Sequence, residues 1–337
     1  MTVYFKCYKM VWVMYMTMKE LAKLCNVSVS TVSKAFSDTE DISHDTKEQI
    51  FKIAKQHGCY GKFYKHKYPK KIIAVIFPEL KSNYYTAFVE ELQRLIEADN
   101  GICIISADDF SPEKQSELIE YYASFLKVDG IIVFDLRREL KKGYDTPIVS
   151  LFTTTDLRVD SVNTDMKSAI REAVMTLKEY GHKKIAFIGE NHTLSKADYF
   201  RVAVWDYLKY EAVTVKSDER FEKAGIDGVK QLLSNKCDFT AIICAYDNIA
   251  FGAIKELKKQ GFKIPEDISV IGIDNISSAE FTETALTSID TKHTDICSIA
   301  FDLLQKKLEN KYFKAKQNII IKPQLIIRES IRNINKQ

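Results

Sequence analysis

Residues 17–60 read TMKELAKLCNVSVSTVSKAFSDTEDISHDTKEQIFKIAKQHGCY, and this stretch carries three helix starts in close succession. Thr17 and Glu20 form the two ends of a capping box, in which hydroxyl and carboxylate each satisfy the other's backbone N–H. Leu21, Ala22, Leu24 and Cys25 then line one face of a short helix. Asn26 tolerates the left-handed backbone that a tight turn requires. Ser28 caps a second helix from Val29 to about Ser37, with Val32, Ala35 and Phe36 turned inward. Ser43 caps a third from His44 to about His57, ended by Gly58. Two short helices on a three-residue turn, backed by a third, predict a helix-turn-helix.

The charge agrees with that reading. The whole chain of 337 residues has a net charge of +3, but residues 1–71 hold 13 Lys against 6 acidic residues and the remainder is mildly acidic. A basic head on an acidic body is the pattern of a polyanion-binding unit joined to a second domain. Hydrophobic residues make up 46% of the chain, enough for a large core, and no apolar run reaches the roughly 18–20 residues that span a bilayer. The seven cysteines are odd in number and scattered, so neither a disulfide framework nor a zinc site is signalled, and a reducing cytoplasm is expected. Residues 1–15 read as an upstream extension, with Met16 or Met18 as the natural start. They lack the small-residue cleavage site of a secretory signal.

From Ile72 onward strands alternate with helices. Apolar runs at Ile72–Phe77, Ile102–Ser106, Gly130–Phe134, Pro147–Phe152, Ile185–Gly189, Ala241–Ala245 and Ser269–Ile273 are separated by amphipathic stretches. Such alternation predicts parallel, doubly wound α/β sheets, and the length suggests two of them. Ligands in these folds bind beyond the carboxyl ends of the strands. No Gly-rich phosphate loop follows Ile72–Phe77, there is no G-x-S-x-G or H-E-x-x-H, and the six histidines are dispersed. The expectation is a protein that is not an enzyme, with no metal or cofactor.

Residues 18–60 resemble the DNA-binding head of the LacI/GalR (lactose-repressor) family. The V-S-x-x-T-V-S-[RK] core is present as Val27, Ser28, Thr31, Val32, Ser33 and Lys34, with Asn26 where the turn usually has Gly. The resemblance continues through Gly181-His182-Lys183-Lys184-Ile185-Ala186, Ile268-Ser269-Val270-Ile271-Gly272-Ile273-Asp274, Leu286-Thr287-Ser288-Ile289 and Leu325-Ile326-Ile327-Arg328-Glu329-Ser330. It implies an all-α helix-turn-helix head (16–60), a linker (61–71) and a periplasmic-binding-protein-like core (72–331) in two subdomains joined by three crossovers. The boundaries expected are about 72–161 with 291–320 for the first subdomain, and about 162–290 with 321–331 for the second.

The function implied is a sequence-specific transcriptional regulator, most readily a repressor, acting on double-stranded DNA. Base readout falls to the exposed start of the second helix: Val29, Ser30, Thr31, Ser33 and Lys34, of which only Lys34 reaches a guanine strongly. Thr31 and Ser33 equally suit phosphate contact. Two heads on an inverted repeat predict a homodimer, with no heptad tail for a tetramer. In the core, the resemblance places the family's sugar-clamping arginine at Arg201 and its ligand carboxylate at Asp274. Phe134, Phe152 and Tyr246 stand where lactose-type members have Asn or Asp, and Tyr84, Tyr85 and Phe110 are expected to extend the wall. Aromatic faces suit a saccharide first and a nucleobase second, and a phosphoprotein corepressor is the remaining alternative. The linker departs from the family's Ala- and Leu-bearing hinge helix. Its five Lys and three aromatics (Phe63, Tyr64, Tyr68) act either as a basic tether or as a minor-groove wedge.

Overall fold

The computed structural model describes residues 16–37, 41–63, 70–309 and 315–336. The chain divides into two units, Met1–Lys70 and Lys71–Gln337. In the first, α1 (Met18–Cys25), α2 (Val29–Ala35) and α3 (His44–Gln56) are followed by one helical turn, α4 (Tyr60–Phe63). The capping box closes as the sequence requires: the Thr17 N–H donates to Glu20 Oε2 at 2.7 Å, and the Glu20 N–H donates to Thr17 Oγ1 at 3.3 Å. Asn26 sits at φ 54°, ψ 44°, the left-handed turn for which it is suited. Leu21, Val32, Phe36, Ile50 and Ala54 form the core of the head, and Phe36 meets Phe51, Tyr60 and Phe63 at ring-centroid distances of 5.1–5.8 Å.

The second unit begins with β1 (Ile72–Phe77), α5 (Asn83–Ala98), β2 (Ile102–Ala107), α6 (Pro112–Glu120), β3 (Gly130–Leu136), β4 (Ile148–Thr154) and β5 (Asp160–Thr164). It continues with α7 (Met166–Glu179), β6 (Ile185–Glu190), α8 (Leu194–Leu208), β7 (Val213–Ser217), α9 (Glu222–Ser234) and β8 (Ala241–Cys244). The last elements are α10 (Asp247–Lys259), β9 (Ser269–Ile273), β10 (Thr287–Asp290), α11 (His293–Glu309), β11 (Asn318–Ile321) and β12 (Gln324–Ile326).

Two sheets result, ordered β11-β5-β4-β3-β1-β2 and β12-β10-β9-β8-β6-β7. All described pairings are parallel except β10 with β12. Strands buried on both faces explain the near-continuous apolar runs of β1, β3 and β9.

The chain crosses between the sheets three times, after Thr164, after Asp290 and after Ile321. The first crossing lies beyond the expected 161/162 boundary, because β5 stays in register with β11 through Thr164↔Ile321. The crossings are tied together, the Thr164 hydroxyl donating to the Thr291 carbonyl at 3.3 Å.

The terminal Arg328-Glu329-Ser330 segment is a fastening for the second sheet. Ser330 Oγ accepts from the Thr287 N–H at 2.8 Å and donates to the Val270 carbonyl at 2.6 Å, while the Arg328 fork reaches the Leu286 carbonyl and the Asn275 side chain. His182 plays a similar part, its buried ring bridging Thr240 and the Arg332 carbonyl. These motif residues hold the fold rather than a ligand.

Helices α9 and α10 touch through a pair of glycines. A methyl on Gly252 would lie 1.9 Å from the Glu222 carbonyl oxygen, and one on Gly225 would lie 2.0 Å from that of Ile249. Both obstacles are backbone, so the helices must separate. Gly252→Ala should therefore destabilise the core by about 3 kcal/mol, the upper end for overpacking, read as a lowered midpoint in urea unfolding.

Candidate DNA-reading helix and ligand cleft

On α2 the inward residues Val32 and Ala35 leave Val29, Ser30, Ser33 and Lys34 exposed on the opposite face. Thr31 is half-buried and its hydroxyl shares a 2.8 Å hydrogen bond with Ser28, whose oxygen also accepts from the Thr31 N–H. Thr31 is thus engaged in the helix cap, while the other four residues face solvent. Lys34 Nζ lies 3.1 Å from Asp41, both side chains well exposed. An exposed pair of this kind contributes little, so Lys34 is held near the reading face at small cost. Asp41→Asn should leave stability unchanged and steepen the dependence of log Kd on log salt by roughly 0.9 if Lys34 then meets a phosphate.

Phe63 is buried in the head, packed on Phe36. That corrects the expectation that Phe63 could wedge into a groove: the head's own aromatic cluster takes it. Lys71 likewise belongs to the core, where its Nζ meets Asp99 and Gln305. Tyr64, Tyr68, Lys65 and Lys67, like the extension 1–15, lie outside the described residues.

In the second unit, loops at the carboxyl ends of both sheets enclose a cavity of about 510 Å³. One lobe supplies Tyr84, Tyr85, Phe110, Phe134, Asp135 and Phe152. The other supplies Glu190, Lys196, Tyr199, Arg220, Tyr246 and Asp274. Five lining residues, Phe110, Asp135, Phe152, Phe221 and Asp274, hold positive φ. Such backbone costs on the order of 1–3 kcal/mol per residue and collects at ligand-binding sites.

Tyr84, Tyr85, Phe134 and Phe152 form one wall, with centroids 4.8 Å apart for Phe134–Phe152 and 4.9 Å for Tyr85–Phe134. Burial first, then the charges of Asp135 and Asp274, hold the Tyr85 hydroxyl protonated well above its ordinary range. Opposite, Asp274 is 7% exposed and its Oδ1 has no hydrogen-bond partner, with Lys196 Nζ 3.8 Å away. Lys196 donates to the Ala245 carbonyl at 2.7 Å. Behind them Asp247 accepts from Ser288 Oγ at 2.6 Å and the Ile276 N–H at 2.9 Å.

Burial pushes the Asp274 carboxyl up to about 6 against the pull of Lys196, and burial with the neighbouring Asp274 pushes Asp247 up to about 8. For an acid whose folded pKa is raised, the native state keeps its proton where the unfolded chain has lost it. Stability therefore falls as pH rises from about 4 to the folded value, by at most about 1.4 kcal/mol per unit per group. Melting temperature should decline between pH 5 and 8. Asp274→Asn should make that decline shallower, by removing the share of Asp274 below pH 6 and by lowering Asp247, which the Asp274 charge helps to raise.

Contacts between the lobes cross the cleft at Glu79 and at Phe110. Glu79, beyond β1, takes both Nη groups of Arg220, beyond β7, at 2.8 and 3.0 Å. Arg220 Nε also lies 3.5 Å from Glu190. The Phe110 ring stacks on His192 at 4.5 Å and 17°, with the Arg220 guanidinium 5.2 Å from its centroid.

Asp274, Tyr246, Phe134, Phe152, Tyr84, Tyr85 and Phe110 all line the cavity, but Arg201 does not. Its side chain is half exposed and bonds Asp198 and Thr214 beside Trp205. The cause is helical phase: on α8 the cavity-lining residues are Ser195, Lys196 and Tyr199, and two residues beyond Tyr199 is about 200° around the helix. The guanidinium in the cleft comes instead from Arg220.

Residues 17–60 match the family model described as bacterial regulatory proteins, lacI family, and residues 174–331 match that of the periplasmic binding protein-like domain. The chain belongs to the lacI family. This LacI-family protein is 26% identical over 332 residues to the HTH-type transcriptional repressor CytR of Escherichia coli K12, covering 94% of this chain and 96% of that one. Its fold matches a LacI-family regulator from Silicibacter pomeroyi at a TM-score of 0.73 and 18% identity, over 94% of this chain and 99% of that one. It also matches a LacI-family regulator from Enterococcus faecium with bound ribose, at a TM-score of 0.67 and 21% identity, over 78% and 100% of the two chains.

Proposed function

We propose that this protein is a transcriptional repressor that binds an inverted-repeat DNA site as a homodimer, and that a saccharide in the cleft controls its binding. The observation that carries the ligand reading is the cavity itself. Both lobes build it from strand ends, with aromatic faces on one wall and the unpartnered Oδ1 of Asp274 on the other. Rings with an apolar face and hydroxyl edges match that pairing of surfaces. The ribose-bound relative supports the same class. The DNA reading rests on the exposed residues of α2 in a match to the lacI head.

A thermal-shift panel of mono- and disaccharides tests the first part. A sugar at 100 times its Kd stabilises by about 2.7 kcal/mol, a shift of several degrees for a domain of this size. Footprinting on the protein's own upstream DNA, with and without that sugar, tests the second. Protection of a palindrome that the sugar weakens is the expected result, and a monomer protecting no palindrome would sink the reading.

A further inference from the structure

The inference here rests on reading the cleft as the ligand site and concerns which ligands it admits. Recognition of a phosphate or carboxylate in a dry cavity needs a cation whose N–H groups are free to point at it, and a guanidinium fork is the best supplier. The basic side chains lining this cavity are Lys167, His192, Lys196 and Arg220. Lys167 is exposed, and His192 is stacked on Phe110. Lys196 donates one of its three N–H groups to the Ala245 carbonyl, and the Asp274 carboxylate 3.8 Å away opposes its charge toward an anion. Arg220 has the geometry for an anion, but Glu79 holds both of its Nη groups and Glu190 flanks its Nε.

Against these basic groups the cavity presents the carboxylates of Asp135, Asp165, Glu190 and Asp274. An entering anion would meet that negative wall, and could use the two Nη groups of Arg220 only by leaving Glu79, itself 7% exposed, without its partner. Two buried groups on the wall lack a hydrogen-bond partner among the described residues. One is the acceptor Asp274 Oδ1, which calls for a hydroxyl or amine from the ligand. The other is Arg220 Nε, a single N–H flanked by the Glu190 carboxylate at 3.5 Å and short of the two-pronged fork that suits an anion.

We propose that Glu79 determines the ligand class: by occupying the Arg220 fork it closes the cleft to phosphate esters and carboxylates and leaves it to uncharged, hydrogen-bond-donating ligands. Glu79 acts through Arg220 and is a specificity residue rather than a ligand contact.

Inorganic phosphate is a sufficient probe. In thermal-shift measurements on the full chain, millimolar phosphate should stabilise Glu79→Gln, and Glu79→Ala at least as much. It should leave wild type no more stabilised than Arg220→Gln, which corrects for phosphate held by the basic head. The double variant Glu79→Gln with Arg220→Gln should lose the gain. Calorimetry with ribose against ribose 5-phosphate, and glucose against glucose 6-phosphate, reads the same effect as a ratio, which cancels any change in lobe closure. Wild type should bind an ester at least about tenfold more weakly than its parent sugar, and Glu79→Gln should narrow that gap about tenfold. Esters binding wild type as tightly as parent sugars, or no phosphate gain in either Glu79 variant over the double variant, overturns the proposal. If no uncharged sugar in a broad panel binds, it is the reading of the cleft as a saccharide site that falls, and the phosphate measurements still decide on Glu79.

Discussion

Replacing Ser30 with Glu should abolish specific operator binding while leaving the protein folded. Ser30 is the second residue of α2, exposed on the face opposite Val32 and Ala35. A carboxylate there faces the negative potential of the duplex, a like-charge juxtaposition that costs several kcal/mol, or about 100-fold or more in Kd. Folding is not at risk. An acidic side chain in the first turn complements the helix dipole and is worth a few tenths of a kcal/mol in the favourable direction. The α2 cap, Ser28 with Thr31, is untouched. Ser30→Ala should instead cost about 1–3 kcal/mol if the hydroxyl reads a base, and close to nothing if it does not. Electrophoretic mobility shift against the footprinted site, with a parallel melting curve, separates binding from stability. Unimpaired binding by Ser30→Glu would remove α2 from the major groove.

The head was legible because its signals are local. Capping residues, a left-handed Asn and helical periodicity each act within one turn of chain, and Thr17, Ser28 and Ser43 all cap as read. The seven apolar runs became β1, β2, β3, β4, β6, β8 and β9. Interior strands such as β1, β3, β6, β8 and β9 are buried on both faces and so must be apolar throughout, while β2 is an edge strand whose residues are half-buried. Strands that draw their burial from distant partners were not legible. Asp160-Ser161-Val162-Asn163-Thr164 looks like a loop, yet it forms β5. Lys307 pairs with Asp160 at 2.8 Å, and Ser161 donates to the Asn318 side chain.

The missed part of the site follows from a missed strand. Val213–Ser217 is short, polar and on a sheet edge, so its pattern is weak. Without it, nothing marked the loop beyond it, which holds Arg220. Had the Val213-Thr214-Val215 alternation been taken as an edge strand, the rule that ligands sit past carboxyl ends would have pointed to Arg220. Arg201 failed for the opposite reason. The resemblance fixed its place in the sequence, but the phase of α8 was set by Phe200 and Val204, both fully buried, and the arginine was carried to the outer face.

Arg220→Gln should open the cleft and weaken ligand binding by about 100-fold. In the closed arrangement Arg220 is the shared partner of Glu79 and Glu190, which are 7% and 3% exposed. Removing one partner of a buried ion pair costs about 3–5 kcal/mol, because the remaining charge is left without compensation. Arg220 itself is about one-third exposed, which places the cost near 3 kcal/mol. That penalty falls on the closed arrangement alone, since an open cleft returns both carboxylates to water. The cation–π contact of the guanidinium with Phe110 is lost in the same step. A ligand that binds between the lobes sees its affinity reduced by the fraction of molecules still closed, and about 3 kcal/mol corresponds to about two decades. Small-angle scattering should show a larger radius of gyration for the variant without ligand, and saturating sugar should restore the compact form. Phe110→Ala tests the ring's cross-cleft contacts with the ion pair left in place. It removes the stack on His192 and the cation–π contact with Arg220 but strands no charge, so its effect should be smaller, about 1–2 kcal/mol for the two together. If Arg220→Gln keeps both the wild-type radius and the wild-type affinity, the ion pair contributes nothing to closure, and the lobes are held by packing at the three crossings alone.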